Sequence, residues 1–192
     1  MSVPIRMPQP KRFTIAEYLT IERKAATKSE FHQGQILAMA GGSPNHNTIG
    51  PNIVIALGPQ LRGTSCRILS SDQRVAVADG EGSYYPDLSV ACGELKYHAR
   101  HRDVITNAVL VVEVLSKSTA GYDRLVKVPM YQQTPSINDI LLVSQDRARV
   151  EHFTRDKGKW NLNTYSELGG VIPLPCRNCT LALADIYSNI DF

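Results

Sequence analysis

The chain has 192 residues, 43% of them hydrophobic and 20% charged, with a net charge of +3. That balance excludes a disordered polyelectrolyte and a histone-like polycation, and the length suits one domain that buries its own core. The longest apolar run, Ala108–Leu115, is strand length and is broken by Glu113. It falls well short of the roughly 18 apolar residues that span a bilayer, so no membrane partner is expected.

Met1–Pro10 carries three prolines and no apolar stretch, so it does not read as a secretory signal and a cytoplasmic setting is expected. Residues 1–12 read as a loosely ordered lead-in to a single domain. In a reducing compartment the four cysteines, Cys66, Cys92, Cys176 and Cys179, are expected to remain thiols. Cys176 and Cys179 form one C-x-x-C, which a zinc site would need to complete with two more ligands. Thiols filling small spaces near the C-terminal strands are the simpler reading.

Thr14-Ile15-Ala16-Glu17 has the pattern of a capping box, and a short helix should follow to about Lys24, burying Ile15 and Leu19. Gln33-Gly34 lies between two short alternating runs within Ser29–Ala40, which predicts a hairpin. Gly41–Asn45 is a breaker cluster. After it Ile49, Ile53, Ala56, Leu57 and Leu61 keep helical spacing up to Gly63. Pro51 and Pro59 fall inside that run and predict a kink or a late start, because each removes a backbone donor.

Strands are expected at Arg67–Leu69, Arg74–Ala78 and Leu88–Ala91, with a turn at Asp79–Gly82. Gly93–Asn107 reads as a polar, basic loop, and Ala108–Leu115 as a central strand covered on both faces. Asp123–Gln133 has weak helical character, interrupted by Pro129. Ile140–Ser144, Arg149–Thr154 and Lys159–Tyr165 complete the strands, the last two joined by a turn at Asp156-Lys157-Gly158. Leu181–Tyr187 closes the chain as a strand or a helical turn. Helices and strands in this order give an α+β or mixed α/β domain.

Chemistry concentrates on two acids. Side chains alternate along a strand, so Val109, Val111, Glu113 and Leu115 share one face of the apolar run. A carboxylate there must be protonated, paired or metal-bound, because burying it alone costs several kcal/mol. A single structural ion pair is the competing explanation. Asp87 follows Pro86 at the mouth of another strand, where proline confines it to the first ladder position. A turn aspartate satisfying local amides is its simpler role. Together, two carboxylates on neighbouring strands make a hard-oxygen site suited to Mg²⁺ or Mn²⁺. No P-loop or G-x-G-x-x-G is present, and Ser116 and Ser118 lack a histidine–acid partnership. His46, beside a helix start, reads as a cap or core histidine.

A Pro-Asp pair, a spacer and an acid in an apolar strand is the PD-(D/E)XK pattern. Tyr85–Val90, then Val111–Ser116 with Ser118-Thr119, then Tyr122-Asp123-Arg124, Lys127 and Tyr131 resemble the Uma-type endonucleases of the restriction-endonuclease-like superfamily. Phe13-Thr14, Glu17-Tyr18-Leu19, Glu30, Gly34, Ala38-Met39-Ala40, Ser43-Pro44 and His46 extend the resemblance over nearly the whole chain. It implies a mixed central sheet flanked by helices and hydrolysis of DNA phosphodiesters with Mg²⁺ or Mn²⁺. It also implies Asp87 and Glu113 as metal ligands and Glu30 as an acid near the same site. Homodimers are common among such nucleases, since cutting both strands takes two sites.

The superfamily's lysine, two residues past the second acid, is Leu115 here. Lys127 is the favoured replacement, with Lys117 the alternative, and Lys127 would orient water or shield developing charge. The substitution leaves open a degenerate fold that only binds nucleic acid, or a phosphodiesterase on RNA or small nucleotides. The basic stretch Lys96–Arg102, with Lys96, Arg100 and Arg102, lies between the two acids in sequence and is expected to touch the DNA backbone.

Overall fold

The computed structural model describes residues 11–39, 41–99, 101–174 and 178–192. The expectation for residues 1–12 therefore lies almost wholly outside the described residues, as do Arg100 and Cys176. Helix α1 (Ile15–Glu22) starts at the predicted capping box: the Thr14 oxygen accepts from Glu17 N at 3.2 Å, and Glu17 accepts from Thr14 N at 2.7 Å. Strands β1 (Ser29–His32) and β2 (Gln35–Ala38) form the expected hairpin. Its turn needs positive φ at both central residues, supplied by Gln33 at 44° and Gly34 at 87°.

Helix α2 (Pro44–Leu61) starts early, not late, with Ser43 as its cap and Pro44 in its first turn, and it runs on through Pro51 and Pro59. Its Ile49, Ile53, Leu57 and Leu61 are buried, as their spacing predicted. Strands β3 (Cys66–Ser70), β4 (Arg74–Val77), β5 (Gly82–Tyr84) and β6 (Leu88–Cys92) follow. The basic segment expected as loop contains two further strands, β7 (Tyr97–His98) and β8 (His101–Ile105). β8 pairs in parallel with β4, a long-range contact that local polarity does not announce.

The long apolar run is β9 (Ala108–Leu115). After it come the short helices α3 (Ala120–Tyr122) and α4 (Val128–Gln133), bridged by a π-helical segment at Asp123–Lys127. Strands β10 (Asp139–Ser144), β11 (Val150–Asp156), β12 (Lys159–Tyr165), β13 (Val171–Leu174) and β14 (Cys179–Ala182) precede the last helix, α5 (Leu183–Ile186).

The strands make two mixed six-stranded sheets, β12-β11-β10-β9-β6-β3 and β2-β1-β5-β4-β8-β7, and a β13–β14 pair. β9 is central in the first sheet, parallel to β10 and antiparallel to β6. Leu110, Val112 and Val114 pack against α2 and α5. On its opposite face Val111 and Leu115 join Val128, Met130 and Tyr131, together with Val75, Val77 and Tyr84 of the second sheet. The strand is therefore covered on both sides, as its composition requires.

The thiol expectation fails at two positions. Cys66 and Cys92 are joined by a disulfide between β3 and β6, where the antiparallel register sets the two residues opposite each other. Their separation of 26 residues hid that pairing.

Candidate active site

Glu113 is 3% exposed in the middle of β9. Its Oε1 accepts from the Tyr131 hydroxyl at 2.5 Å and from Lys127 Nζ at 3.2 Å. The same ammonium lies 2.9 Å from Glu30 Oε1 and 3.5 Å from Asp123 Oδ1. All four charged side chains are nearly sealed from solvent.

The π segment explains how a chain with proline at 129 places these groups. Pro129 has no N–H and crowds the carbonyl four residues earlier. A π turn widens the backbone immediately before it, with the Val128 N–H reaching back to Asp123 O. The helical path survives the proline, and both Asp123 and Lys127 are buried.

Glu30 comes from β1 and is held by the Tyr85 N–H, 3.0 Å from its Oε1. Asp87 lies between Pro86 and the start of β6, whose register pairs Leu88 with Val112. Its Oδ2 accepts from the Val114 N–H at 2.7 Å and lies 3.3 Å from His46 Nε2. His46 is in the first turn of α2, where its N–H donates to the Ser43 cap at 3.2 Å.

Glu30, His46, Asp87, Glu113, Asp123 and Lys127 line one cavity of about 390 Å³. Its electrostatics are unbalanced: four carboxylates face one ammonium. Burial pushes the Glu113 carboxyl well up, against the pull of Lys127, and Asp87 adds to the rise. Burial likewise raises Glu30 and Asp123, opposed by Lys127. Burial works to lower Lys127, but Glu113, Glu30 and Asp123 outweigh it and hold the ammonium well above the ordinary lysine value. Burial, then the charge of Glu113, raises the Tyr131 hydroxyl. The bond to Asp87 raises His46 against the effect of burial.

Of the residues singled out from sequence, Asp87, Glu113, Lys127 and Glu30 meet in this cavity. Lys117 lines a neighbouring one. Lys96 immediately precedes β7, Arg102 lies within β8, and Arg100 lies outside the described residues. β7 is four strands from Glu30 in the second sheet, about 19 Å at the usual strand spacing. Asp123 and Tyr131 join the cluster without a role assigned from sequence, Asp123 on the cavity wall and Tyr131 buried behind Glu113, and His46 is a further wall residue. For the first two, the spacing Asp123, Lys127, Tyr131 in steps of four was the available signal.

Among the described residues, no three His, Cys, Asp or Glu side chains are grouped to hold a metal unaided. Of the lining side chains, the carboxylates of Asp87 and Glu113 are the ones that could hold a hard cation. Asp87 and Glu113 line one cavity, and its excess of buried carboxylate is what an added positive charge relieves.

The family Uma2, described as "Putative restriction endonuclease", matches residues 15–184. Two uncharacterised proteins of Synechocystis sp. are similar to this chain. One is 39% identical over 145 residues, covering 76% of this chain and 82% of the relative. The other is 33% identical over 177 residues, covering 92% of each. The crystal structure of a putative nuclease from Anabaena variabilis, assigned to DUF820, shares the fold with a TM-score of 0.72. It is 18% identical, and the match covers 92% of this chain and 98% of that one.

Proposed function

From the premise that the chain belongs to the Uma2 family, we propose that it is a divalent-metal-dependent nuclease that hydrolyses DNA phosphodiesters in the cavity of Asp87 and Glu113. The observation that carries this reading is the convergence of Glu30, Glu113 and Asp123 on Lys127 Nζ beside Asp87. An ammonium arrives at the acid cluster although Leu115 occupies the superfamily's lysine position.

Asp87 and Glu113 would hold Mg²⁺ or Mn²⁺. When bound, such an ion supplies positive charge against the phosphoryl oxygens and the leaving group. Lys127, kept protonated by its three acids, serves as a fixed donor and not as a base. It fixes the Glu113 carboxylate from one side while the Tyr131 hydroxyl fixes it from another. Glu30 anchors the ammonium and is itself anchored by the Tyr85 backbone. The Val114 N–H holds the Asp87 carboxylate beside Glu113.

The test is incubation of the purified protein with supercoiled plasmid and with single-stranded DNA and RNA, with and without Mn²⁺. The expected result is metal-dependent nicking that Glu113→Ala abolishes. Binding without any metal-dependent cleavage would replace this reading with a degenerate, binding-only fold. Preference for RNA would move the substrate class.

A further inference from the structure

We propose that a second cavity, walled by Lys117, Arg124 and Arg147, seats a backbone phosphate flanking the one that is cut. The inference rests on the nuclease reading above and extends it to the path of the substrate strand. This cavity has a volume of about 470 Å³. It is separated from the acid cavity by two short segments whose residues divide between the two. In the turn after β9, Ser118 and Thr119 line the acid cavity, whereas Ser116 and Lys117 line the second. At the start of α2, His46 faces the first and Ser43 and Asn45 the second. The Ser116 hydroxyl joins the two sides, 3.0 Å from Ser118 Oγ and 2.9 Å from Thr119 Oγ1.

Charge changes character across that divide. The acid cavity suits a cation, and the second cavity carries three of them on its wall. Arg124 is held by Glu151 through Nε at 3.0 Å and Nη2 at 3.1 Å, and Arg149 shares that carboxylate at 3.2 Å. Asp146 and Asp191 also line the cavity. Counting Arg124, Arg149, Lys117 and Arg147 against Glu151, Asp146 and Asp191, four cations face three acidic side chains in and beside it. Arg147 lies 3.8 Å from Asp146, but both side chains are more than half exposed, so that pair is weak and easily exchanged for a phosphate. Among the described residues Lys117 makes no ion pair, and it is exposed. Its position four residues past Glu113 brings it to the site's edge without entering the acid cluster. A lysine with no work in the chemistry thus has one in holding the strand. Phosphate contacts of this kind orient a nucleic acid without reading its bases.

The experiment measures binding of a fluorescent duplex oligonucleotide in EDTA, where cleavage cannot interfere, across a potassium chloride series. Three proteins are compared: wild type, Lys117→Gln/Arg147→Gln and Lys96→Gln/Arg102→Gln. Each duplex phosphate contact contributes about 0.9 to the slope of log affinity against log salt. The Lys117/Arg147 variant should bind several-fold more weakly at low salt, with a slope shallower by about that amount. The Lys96/Arg102 variant, whose residues lie at the far end of the second sheet, should lose less slope than the Lys117/Arg147 variant. Equal slopes for wild type and the Lys117/Arg147 variant would overturn the proposal, as would a loss of slope only in the Lys96/Arg102 variant. If wild type cleaves plasmid with Mn²⁺ while those slopes are equal, the nuclease reading stands and the subsite falls. If wild type neither binds nor cleaves, both fall together.

Discussion

Two charged clusters of opposite composition lie on this molecule. In the candidate site Glu30, Glu113 and Asp123 surround one ammonium, with all four side chains 4–6% exposed. At the edge of the second cavity one carboxylate, Glu151, lies between Arg124 and Arg149, whose side chains are 34% and 40% exposed. The carboxyl groups respond in opposite directions. Burial raises Glu113 more than Lys127 can lower it. Burial also pushes Glu151 up, but hydrogen bonds and charge from Arg124, then Arg149, outweigh it and hold that carboxyl below the usual range. Stability alone favours matched charges, as around Glu151. An excess of sealed carboxylate is a standing penalty that an incoming cation would remove, and the proposed function rests on that difference.

The sharpest way to break the comparison is to remove a cation from each cluster. Lys127→Met strands three buried acids and should lose about 3–5 kcal/mol of stability, read from the urea midpoint. Arg124→Met leaves Glu151 with Arg149 and partial solvent, so it should lose under about 1 kcal/mol. Equal losses would mean that the two clusters do the same structural work. Next in size is the response to an added ion. Mn²⁺ at a hundred times its dissociation constant should stabilise wild type by about 2.7 kcal/mol in a thermal melt. Asp87→Ala and Glu113→Ala should each show much less. A melt unchanged by Mn²⁺ in wild type would remove the two-ligand site.

The two clusters should also respond to pH on opposite sides of the ordinary glutamate value of 4.5. A carboxyl with a raised value in the fold keeps a proton that the unfolded chain releases. Its contribution is present below 4.5 and is lost as pH rises through the folded value. Glu113→Gln should therefore gain on wild type as pH rises above 4.5, by up to about 1.4 kcal/mol per unit while the group titrates. For Glu151 the sign reverses: its contribution is present above 4.5 and is lost as pH falls through its lowered folded value. Wild type should lose its advantage over Glu151→Gln only on the acid side. Denaturant titrations of the three proteins across this range give both differences.

The unequal legibility of the site in the sequence has physical causes. Glu113 stands out because a charge among the seven apolar residues of an eight-residue strand has no cheap explanation. Asp87 is marked by the proline that fixes where its strand begins. Glu30 and Lys127 were reached through family spacing, since a hairpin acid and a helix lysine are ordinary surface residues elsewhere. Asp123 and Tyr131 belong to the same family spacing but gain no role from it, since proline at 129 argues against a regular helix that would turn them toward Glu113. A π segment, which carries both acid and lysine inward, has no signature in a 3.6-residue period. Among strands, the long β9 was plain, whereas β5 and β7, of three and two residues, are too short for alternation to show. β8 and the Cys66–Cys92 bond depend on pairings between distant segments, as does His46, whose role appears only when α2 is docked beside Asp87.

That docking supplies the smallest effect and the finest test of how the acid side of the comparison is held. A Cβ added at Gly42 would lie 2.6 Å from His46 Nδ1, 2.9 Å from His46 Cγ and 2.9 Å from Asn47 Oδ1. Gly42 is therefore the surface on which the imidazole rests while its Nε2 approaches Asp87. Gly42→Ala must move the ring or the loop, with an overpacking penalty of about 1 kcal/mol. Asp87 keeps the Val114 N–H at 2.7 Å, so its carboxylate should loosen without leaving the cavity. The nicking rate should then fall modestly, well short of the loss from Glu113→Ala. His46→Ala removes the ring that the new methyl would meet, so adding Gly42→Ala to it should bring little further loss. A double-mutant cycle in stability and in Mn²⁺ affinity measures this, because contacting residues are non-additive and independent ones are not. Strict additivity would mean that Gly42 and His46 act separately, and the imidazole would then owe its place beside Asp87 to the α2 cap alone.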